Sequence, residues 1–498
     1  MASVWRLALQ ALSGALVWLA TPGLGGVSAV AAVAFVPLLS SLAGLRGWRA
    51  LAWGLLGGLF YIVPGKWATF ANAAHAANQS LLPEFVLVLG FFLTYAAPFA
   101  AAAWLMSGWQ RRGQPAALQS LLSPWVTGFG LAALILIVPA LFPFTPVVLI
   151  SADPRWIQLA DLGGEPLLLG LLLTVNAGLA TALRPGRHRA TASLLAVGLP
   201  LAAAIAHPGW EAAADQGRDG SLDVLALQTY WPVGAGNRVV LSDRRDTAPR
   251  SAIELTRAGL RDAPQCQVVV WPEIPAQPGR DQSCERAAAL AAATGLTILT
   301  TCHETQPTGR RIFPARLYTG DGPVGEHRKS RLIPGFERRL FDSATDINPG
   351  IKPGAGPTLF TPAGRAPFAP SICYEIHFRD DLRRMTRQGA QWFAHMANFN
   401  VFRSPLISEW DLAMTRLRAV ENRRAIVRAV NAGVAGMVLP SGAWVPAARP
   451  DGPAATCHRA PLQTALPPYS RWGDLLFWAL CALLATLAAA AVLRRGAA

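Results

Sequence analysis

Charged side chains are scarce in this chain: they make up 15% of its 498 residues, where a soluble globular domain carries about 25%. The shortfall is concentrated in the first 210 residues, which are runs of Ala, Leu, Val, Gly and Trp. Apolar residues reach 52%, so the composition excludes both a disordered chain and an ordinary soluble enzyme. Cysteine is sparse too. Six in the whole chain, with no C-x-x-C pair and no His-x-x-x-His spacing, point away from a disulfide-stapled scaffold and from structural zinc. Acidic residues are the third shortage, since 29 Asp plus Glu against 44 Lys plus Arg leave a formal charge of +15. No basic stretch interleaved with aromatics accompanies that excess, so it is not read as a nucleic-acid site.

What the first two fifths do contain is apolar runs of membrane-spanning length. About 20 residues cross roughly 30 Å of hydrocarbon, and candidates lie near 5 to 20, 24 to 43, 49 to 64, 82 to 108, 126 to 143, 163 to 183 and 190 to 206, with a last one near 473 to 493. The run near 126 to 143 has a possible start as early as Leu118. The first run has only Arg6 ahead of it and further spans follow at once, so it reads as an uncleaved helix rather than a signal peptide. Alternate loops carry Arg46 with Arg49, Arg111 with Arg112, then Arg184, Arg187 and Arg189, and finally Arg494 with Arg495. By the positive-inside rule these four places are cytoplasmic. Both termini are then inside, and the polar stretch from about 207 to 470 faces the periplasm of a bacterium. The expected organisation is a seven-span domain over 1–206, an extracytoplasmic domain over 207–470, and a last span with a cytoplasmic tail over 471–498.

Within that polar stretch, short apolar runs (DVLALQ, CQVVVWPE, LTILTTCH, FAPSICYE, QWFAHMANF, AGMVLPS) alternate with helical patterns. The alternation predicts an α/β domain. SAIELTRAGLRD opens at Ser251 and CERAAALAAATG stops at Gly295, as helix caps do. Three motifs sit at the ends of strand-like runs, where open α/β sheets place ligands. WPEIPAQ offers Glu273 as a general base or as an ordinary turn carboxylate; HRKSRLIPGFE offers Lys329 as an oxyanion partner or as a solvated surface cation; SICYEIHF offers Cys373 as a nucleophile or as a small buried hydrophobe.

Taken together, in the order Glu, Lys, Cys, these three resemble the catalytic triad of the nitrilase superfamily. CYEIHFRDDLRRMTRQGA is similar to that family's strand, turn and helix around the cysteine. With the membrane spans, the chain resembles apolipoprotein N-acyltransferase over nearly its full length. RWIQLADLGGEPLLLGLLLTVNAGLA resembles the segment leading into the family's sixth helix, and MTRLRAVENRRAIVRAVNAGVAGMVLPSG its Arg-Ala-x-Glu helix and Asn-x-Gly strand. The resemblance implies a nitrilase-like αββα sandwich outside the membrane, with Glu337, Tyr374 and Glu375 supporting the triad. Two stretches depart from the family. RLIPGFE transposes Gly335 and Phe336, and MANFNVFR keeps Asn398 but lacks the family's Asp, Trp and Gly.

The resemblance further implies transfer of an acyl chain from a phospholipid to the α-amine of a diacylglyceryl-modified N-terminal cysteine of an apolipoprotein, through a thioester on Cys373. No metal or organic cofactor is expected. A second reading is a diverged membrane nitrilase of the plasmid-conjugation type, with another donor or acceptor or with amidase activity. A transporter and a silent scaffold are weaker: the spans look like a platform, and Glu273, Lys329 and Cys373 occur together. Cys266, Cys284, Cys302 and Cys457 are free to pair in an oxidising compartment, but no spacing selects partners.

Overall fold

The structure is a computed structural model that describes residues 2–76, 81–109, 117–138, 143–184, 188–207, 215–230, 251–273, 282–305, 311–334, 351–399, 406–449 and 452–496, with single positions 140, 186, 275, 307 and 337. Gly335, Phe336, Phe402 and Arg403 from the divergent motifs lie outside the described residues, as do Arg111, Arg112 and Arg187 and the side chains of Arg494 and Arg495. The chain divides into two compact units, one of residues 1–71, 79–208 and 472–498, the other of residues 72–78 and 209–471.

The first unit is helical. Among the described residues, five helices are long and apolar enough to cross a membrane: Ser3–Ala20, Leu89–Ser107, Ala117–Ile137, Ala160–Ala182 and Arg189–Ala206. Shorter apolar helical stretches occupy Ser28–Ser41, Gly47–Val63 and Leu475–Ala491. The helix Ala117–Ile137 includes Leu118. The stretch near 24 to 43 differs from the single span expected of it. It is a 3-10 turn at Ser28–Val30 followed by two short helices, Ala31–Ala34 and Val36–Ser41. Pro37 has no N–H to donate to the preceding turn, and a side chain from another helix serves the interrupted ladder instead. The Asn176 amide oxygen accepts from Phe35 N at 2.9 Å, and its Nδ2 donates to Ala31 O at 3.0 Å.

The helix Ala160–Ala182 is kinked at Gly163 and Gly164, and Gly164 has φ 68° and ψ −169°, a conformation open only to glycine. Buried carboxylates flank the kink. Glu165 accepts from Thr145 Oγ1 at 2.6 Å, and Asp161 lies 3.0 Å from His207 Nε2.

Among the described residues the second unit contains thirteen strands: β1 (Ser221–Gln228), β2 (Val268–Val270), β3 (Thr297–Thr301), β4 (Glu304–Thr305), β5 (Arg311–Ile312), β6 (Pro314–Thr319), β7 (Gly322–Arg328), β8 (Phe368–Ile372), β9 (Trp392–Asn398), β10 (Ala425–Asn431), β11 (Gly436–Val438), β12 (Trp444–Pro446) and β13 (Ala454–Pro461). Strands β4 and β5 form a separate ribbon. The other eleven form two half-sheets, β7-β6-β3-β2-β1-β13 and β8-β9-β10-β11-β12, which meet at the Gln228–Val430 pair.

Side chains along a strand point alternately to opposite faces, and here both faces are apolar and buried. Val224, Ala226, Val268, Val270 and Leu299 from one half-sheet pack with Phe368, Trp392, Ala394, Met396 and Val427 from the other. The alternate residues Leu225, Leu227, Val269, Trp271 and Ile298 meet the helices Ala252–Asp262 and Ser283–Thr294. On the far side Ala369, Phe393 and Ile426 meet Leu382, Met385, Leu412 and Ala419 of the helices Arg379–Arg387 and Leu406–Asn422. The result is helix, sheet, sheet, helix: the αββα sandwich. The helix caps fall as the sequence predicts, with Ser251 Oγ accepting from Glu254 N at 3.2 Å and Gly295 left-handed at φ 71°.

The cysteine shortage misleads in this unit. Cys266 pairs with Cys457 and Cys284 with Cys302, at Cα separations of 6.3 and 5.7 Å. Few cysteines still staple a domain when strands bring them together.

Candidate active site

Every strand leading into the three motifs runs the same way. β1, β2 and β3 are mutually parallel, β7 returns to that direction through the β6 hairpin, and β8, β9 and β10 are parallel among themselves and to β1. Glu273 follows β2 through Trp271 and Pro272, Lys329 follows β7, and Cys373 follows β8. All three therefore emerge at carboxyl ends of strands, the edge where parallel sheets leave room for chemistry.

The structure brings these residues together. Lys329 Nζ donates to Glu273 Oε1 at 2.9 Å and to Glu337 Oε1 at 2.6 Å. The Cys373 thiol and the Glu273 carboxylate lie within electrostatic reach of each other. Lys329 is 1% exposed, Glu273 and Cys373 7% each, so these interactions act with little screening by water. Cys373 sits at φ 50°, a left-handed conformation for a residue with a Cβ. Such a backbone costs about 1–3 kcal/mol and is found where a turn must present a side chain sharply. Here it begins the 3-10 turn Cys373–His377.

Electrostatics divide the roles. Burial pushes the Glu273 carboxyl above its ordinary value, against the pull of Lys329, and Glu337 adds to the rise. Burial works against charge on Lys329, yet Glu273 and Glu337 outweigh it and hold the ammonium well above its usual range. Burial and the Glu273 carboxylate push the Cys373 thiol well up, with Lys329 opposing them. The surroundings thus favour a neutral thiol on Cys373 and a charged ammonium on Lys329.

The supporting residues are also placed. Glu337 accepts Lys329 through one oxygen and Ile333 N through the other at 2.9 Å, closing its own loop on the lysine. Glu375 accepts from Ser330 N at 2.7 Å, Ser330 Oγ at 2.9 Å and Ile372 N at 2.8 Å, with His327 Nε2 at 2.9 Å. Burial would raise its pKa, but His327 and those backbone donors bring it down to about 2. Tyr374 does something different from the acids: its ring packs edge-on against Phe378 at 5.0 Å. Asn398, at the end of β9, accepts from Asn431 Nδ2 at 3.2 Å, and Asn431 in turn accepts from Thr229 at 3.0 Å, tying the ends of β1, β9 and β10 together.

Several residues around the site escaped the sequence reading. Arg418, fully buried, donates to Ile376 O at 3.1 Å and to His377 O at 3.5 Å and pairs with Glu421, anchoring the turn after Cys373 to the helix Leu406–Asn422. Asp411 accepts from Arg428 at 2.6 Å and lies 3.0 Å from His395 Nε2. The segment from Ile407 to Val430 reads in the sequence as a packing stripe with solvated arginines between, whereas Arg418, Arg424 and Arg428 are buried in the structure. Among the described residues, no group of three or more His, Cys, Asp or Glu side chains is placed to hold a metal ion.

Residues 240–452 match the carbon-nitrogen hydrolase family. An apolipoprotein N-acyltransferase of Synechocystis is 32% identical over 177 residues, 32% of this chain and 32% of its own length. The match thus spans about a third of that relative. An apolipoprotein N-acyltransferase of Gloeobacter violaceus is 26% identical over 457 residues, 86% of this chain and 82% of its own. Among solved structures, Saccharomyces cerevisiae Nit3, a member of branch 10 of the nitrilase superfamily, aligns at TM-score 0.38 and 20% identity over 48% of this chain and 90% of that one. The chain is similar to the carbon-nitrogen hydrolase family over residues 240–452 and to apolipoprotein N-acyltransferases along most of its length.

Proposed function

We propose that this chain is an N-acyltransferase that moves an acyl chain from a phospholipid to the α-amino group of the N-terminal diacylglyceryl-cysteine of a lipoprotein, with Glu273, Lys329 and Cys373 as its catalytic residues. The observation that carries this reading is the buried Glu273, ion-paired with Lys329 and electrostatically coupled to the Cys373 thiol.

Glu273 takes the thiol proton as the sulfur attacks the ester carbonyl of the donor. The negative charge that develops on the carbonyl oxygen is met by the Lys329 ammonium and by a backbone N–H beside Cys373; one such donor is worth about 100- to 1000-fold in rate. Collapse expels the lysophospholipid alkoxide, which takes its proton from Glu273, and the acyl group stays on sulfur as a thioester. The acceptor amine then attacks, gives its proton to Glu273, and the departing thiolate recovers that proton. The two halves give ping-pong kinetics. Glu337 keeps Lys329 charged throughout, and Glu375 and Tyr374 hold the cysteine turn.

The membrane helices suit substrates that both carry acyl chains. Extracting a chain from lipid costs about 0.8 kcal/mol per methylene, roughly 10 kcal/mol or more for a long one, so a site opening at the outer leaflet avoids that barrier. The proposed organisation has spans over 1–206 and 471–498 in the bacterial inner membrane, both termini cytoplasmic, and a periplasmic catalytic domain over 207–470. The pairs Cys266–Cys457 and Cys284–Cys302 support an oxidising location for that domain.

The test of the acceptor is a synthetic diacylglyceryl-cysteinyl peptide incubated with purified protein and phosphatidylethanolamine. A peptide gaining one amide-linked acyl mass supports the reading; release of free fatty acid with the peptide unchanged would replace it with a hydrolase.

A further inference from the structure

Two neighbours of the triad do no chemistry in this scheme. His327 stands two residues before Lys329 and Glu375 two residues after Cys373, and they are 1% and 4% exposed. On β7 the alternation of side chains sends Glu326 and Arg328 outward, where Glu326 pairs with both Arg328 and Arg316. His327 turns inward. Its Nε2 lies 2.9 Å from Glu375 Oε2, and its Nδ1 lies 3.3 Å from Thr358 Oγ1. The other partners of Glu375 belong to the two catalytic loops: Ser330 directly follows Lys329, and Ile372 directly precedes Cys373. One carboxylate therefore joins the lysine loop to the cysteine turn.

We propose that His327 is a positioning residue of this site: as an imidazolium it holds Glu375 in its carboxylate form, and Glu375 in turn holds the Lys329 and Cys373 loops at a fixed separation. The proposal rests on the acyl-transfer reading and names a part of its machinery. A buried carboxyl without a counter-charge takes up a proton. It would then be a donor on one oxygen and lose part of its grip on Ser330 N and Ile372 N, since each of those backbone groups needs an acceptor. Of the four groups bonded to Glu375, the imidazole alone is able to carry a positive charge.

Few other charges face the imidazole. Asp381 reaches it electrostatically and is itself forked by Arg331 at 2.7 and 3.0 Å. Thr358 offers a neutral hydroxyl, and Ala315 is the cross-strand neighbour on β6. His327, Ser330, Ser371, Glu375, Asp381 and Phe393 share the lining of one small cavity. Burial works against charge on His327, but Glu375 and Asp381 outweigh it and raise its pKa. The clamp is therefore fully charged below the ordinary histidine value and loosens as pH rises through the raised one.

The experiment compares full-length wild type, His327→Phe and His327→Gln in detergent, with two readouts across pH: single-turnover acylation of Cys373 by phosphatidylethanolamine, and alkylation of Cys373 by iodoacetamide. His327→Phe, which lacks a donor, is expected to lose about 100-fold in acylation, an effect of the size attached to misplacing a catalytic group. His327→Gln keeps a neutral donor, so it should recover to within about tenfold of wild type, the gap between charged and neutral hydrogen bonds. It should also lose the alkaline limb of the wild-type profile while keeping the acid limb. Acylation by His327→Phe at the wild-type rate, or an alkaline limb unchanged in His327→Gln, overturns the proposal. If wild type is never acylated, the acyl-transfer reading fails, and alkylation still decides His327: a pH profile altered in His327→Gln keeps the positioning role, and an identical profile removes it.

Discussion

The two units of this protein bury polar side chains to different ends. In the helical unit the buried groups bond mainly to backbone or to one another near an irregularity: Asn176 bridges the break at Phe35, and Glu165 with Thr145 sits at the kink after Gly164. In the sandwich many of the buried groups are ionisable and arranged in chains, Glu273–Lys329–Glu337, His327–Glu375 and Arg428–Asp411–His395. A neutral amide supplies what an interrupted helix lacks without adding charge to an apolar setting. A charge network is costly unless every member is matched, and what it provides is fixed geometry at loops that would otherwise be free to shift. The difference teaches that the first set maintains shape and the second maintains a site.

Breaking the second kind should have the larger effect. Lys329→Met leaves two carboxylates facing each other without a cation, so acyl-enzyme formation should fall at least about 100- to 1000-fold and the domain should lose about 3–5 kcal/mol. Single-turnover mass spectrometry and thermal unfolding in detergent read the two effects separately. Replacing the Cys266–Cys457 pair by serines frees a loop of sequence separation 191 and should cost about 2–4 kcal/mol. Unfolding followed with and without reductant reads this, and acylation per folded molecule should stay near wild type.

Asn176→Leu tests the first kind. It strands Phe35 N and Ala31 O and should destabilise by about 1–3 kcal/mol, read as a lower unfolding temperature with acylation per folded molecule unchanged. A collapse of acylation there would erase the distinction between the units. The smallest effect is that of pH. Glu273 must be ionised to accept the thiol proton, and burial raises its pKa, so acylation should decline on the acid side with a midpoint above the ordinary carboxylate value. A midpoint at or below that value would mean the base is not this buried carboxylate.

The sequence made the site more legible than its supports. Glu273 and Cys373 each follow an apolar run, Lys329 follows the polar strand β7, and the parallel strands carry all three to one edge. Glu375 was visible as a companion of the cysteine, but His327 was hidden inside a basic string that reads as surface, and only the two-residue alternation of β7 separates it from Arg328. The cysteine pairs were hidden for another reason: Cys266 and Cys457 meet because β13 lies along β1 beside β2, a pairing that links residues far apart in sequence. The broken segment at Ser28–Ser41 was missed because the side chain that satisfies the break, Asn176, lies 141 positions away from Phe35. Local pattern reveals strand ends and caps; it does not reveal which distant side chain completes a helix.

The most direct test of the central claim is intact-mass spectrometry of the purified protein after incubation with phosphatidylethanolamine, alongside Cys373→Ala. The account predicts that wild type gains one acyl mass, removable by hydroxylamine, and that the variant gains none. Wild type without an acyl mass, or the same mass on Cys373→Ala, would contradict it.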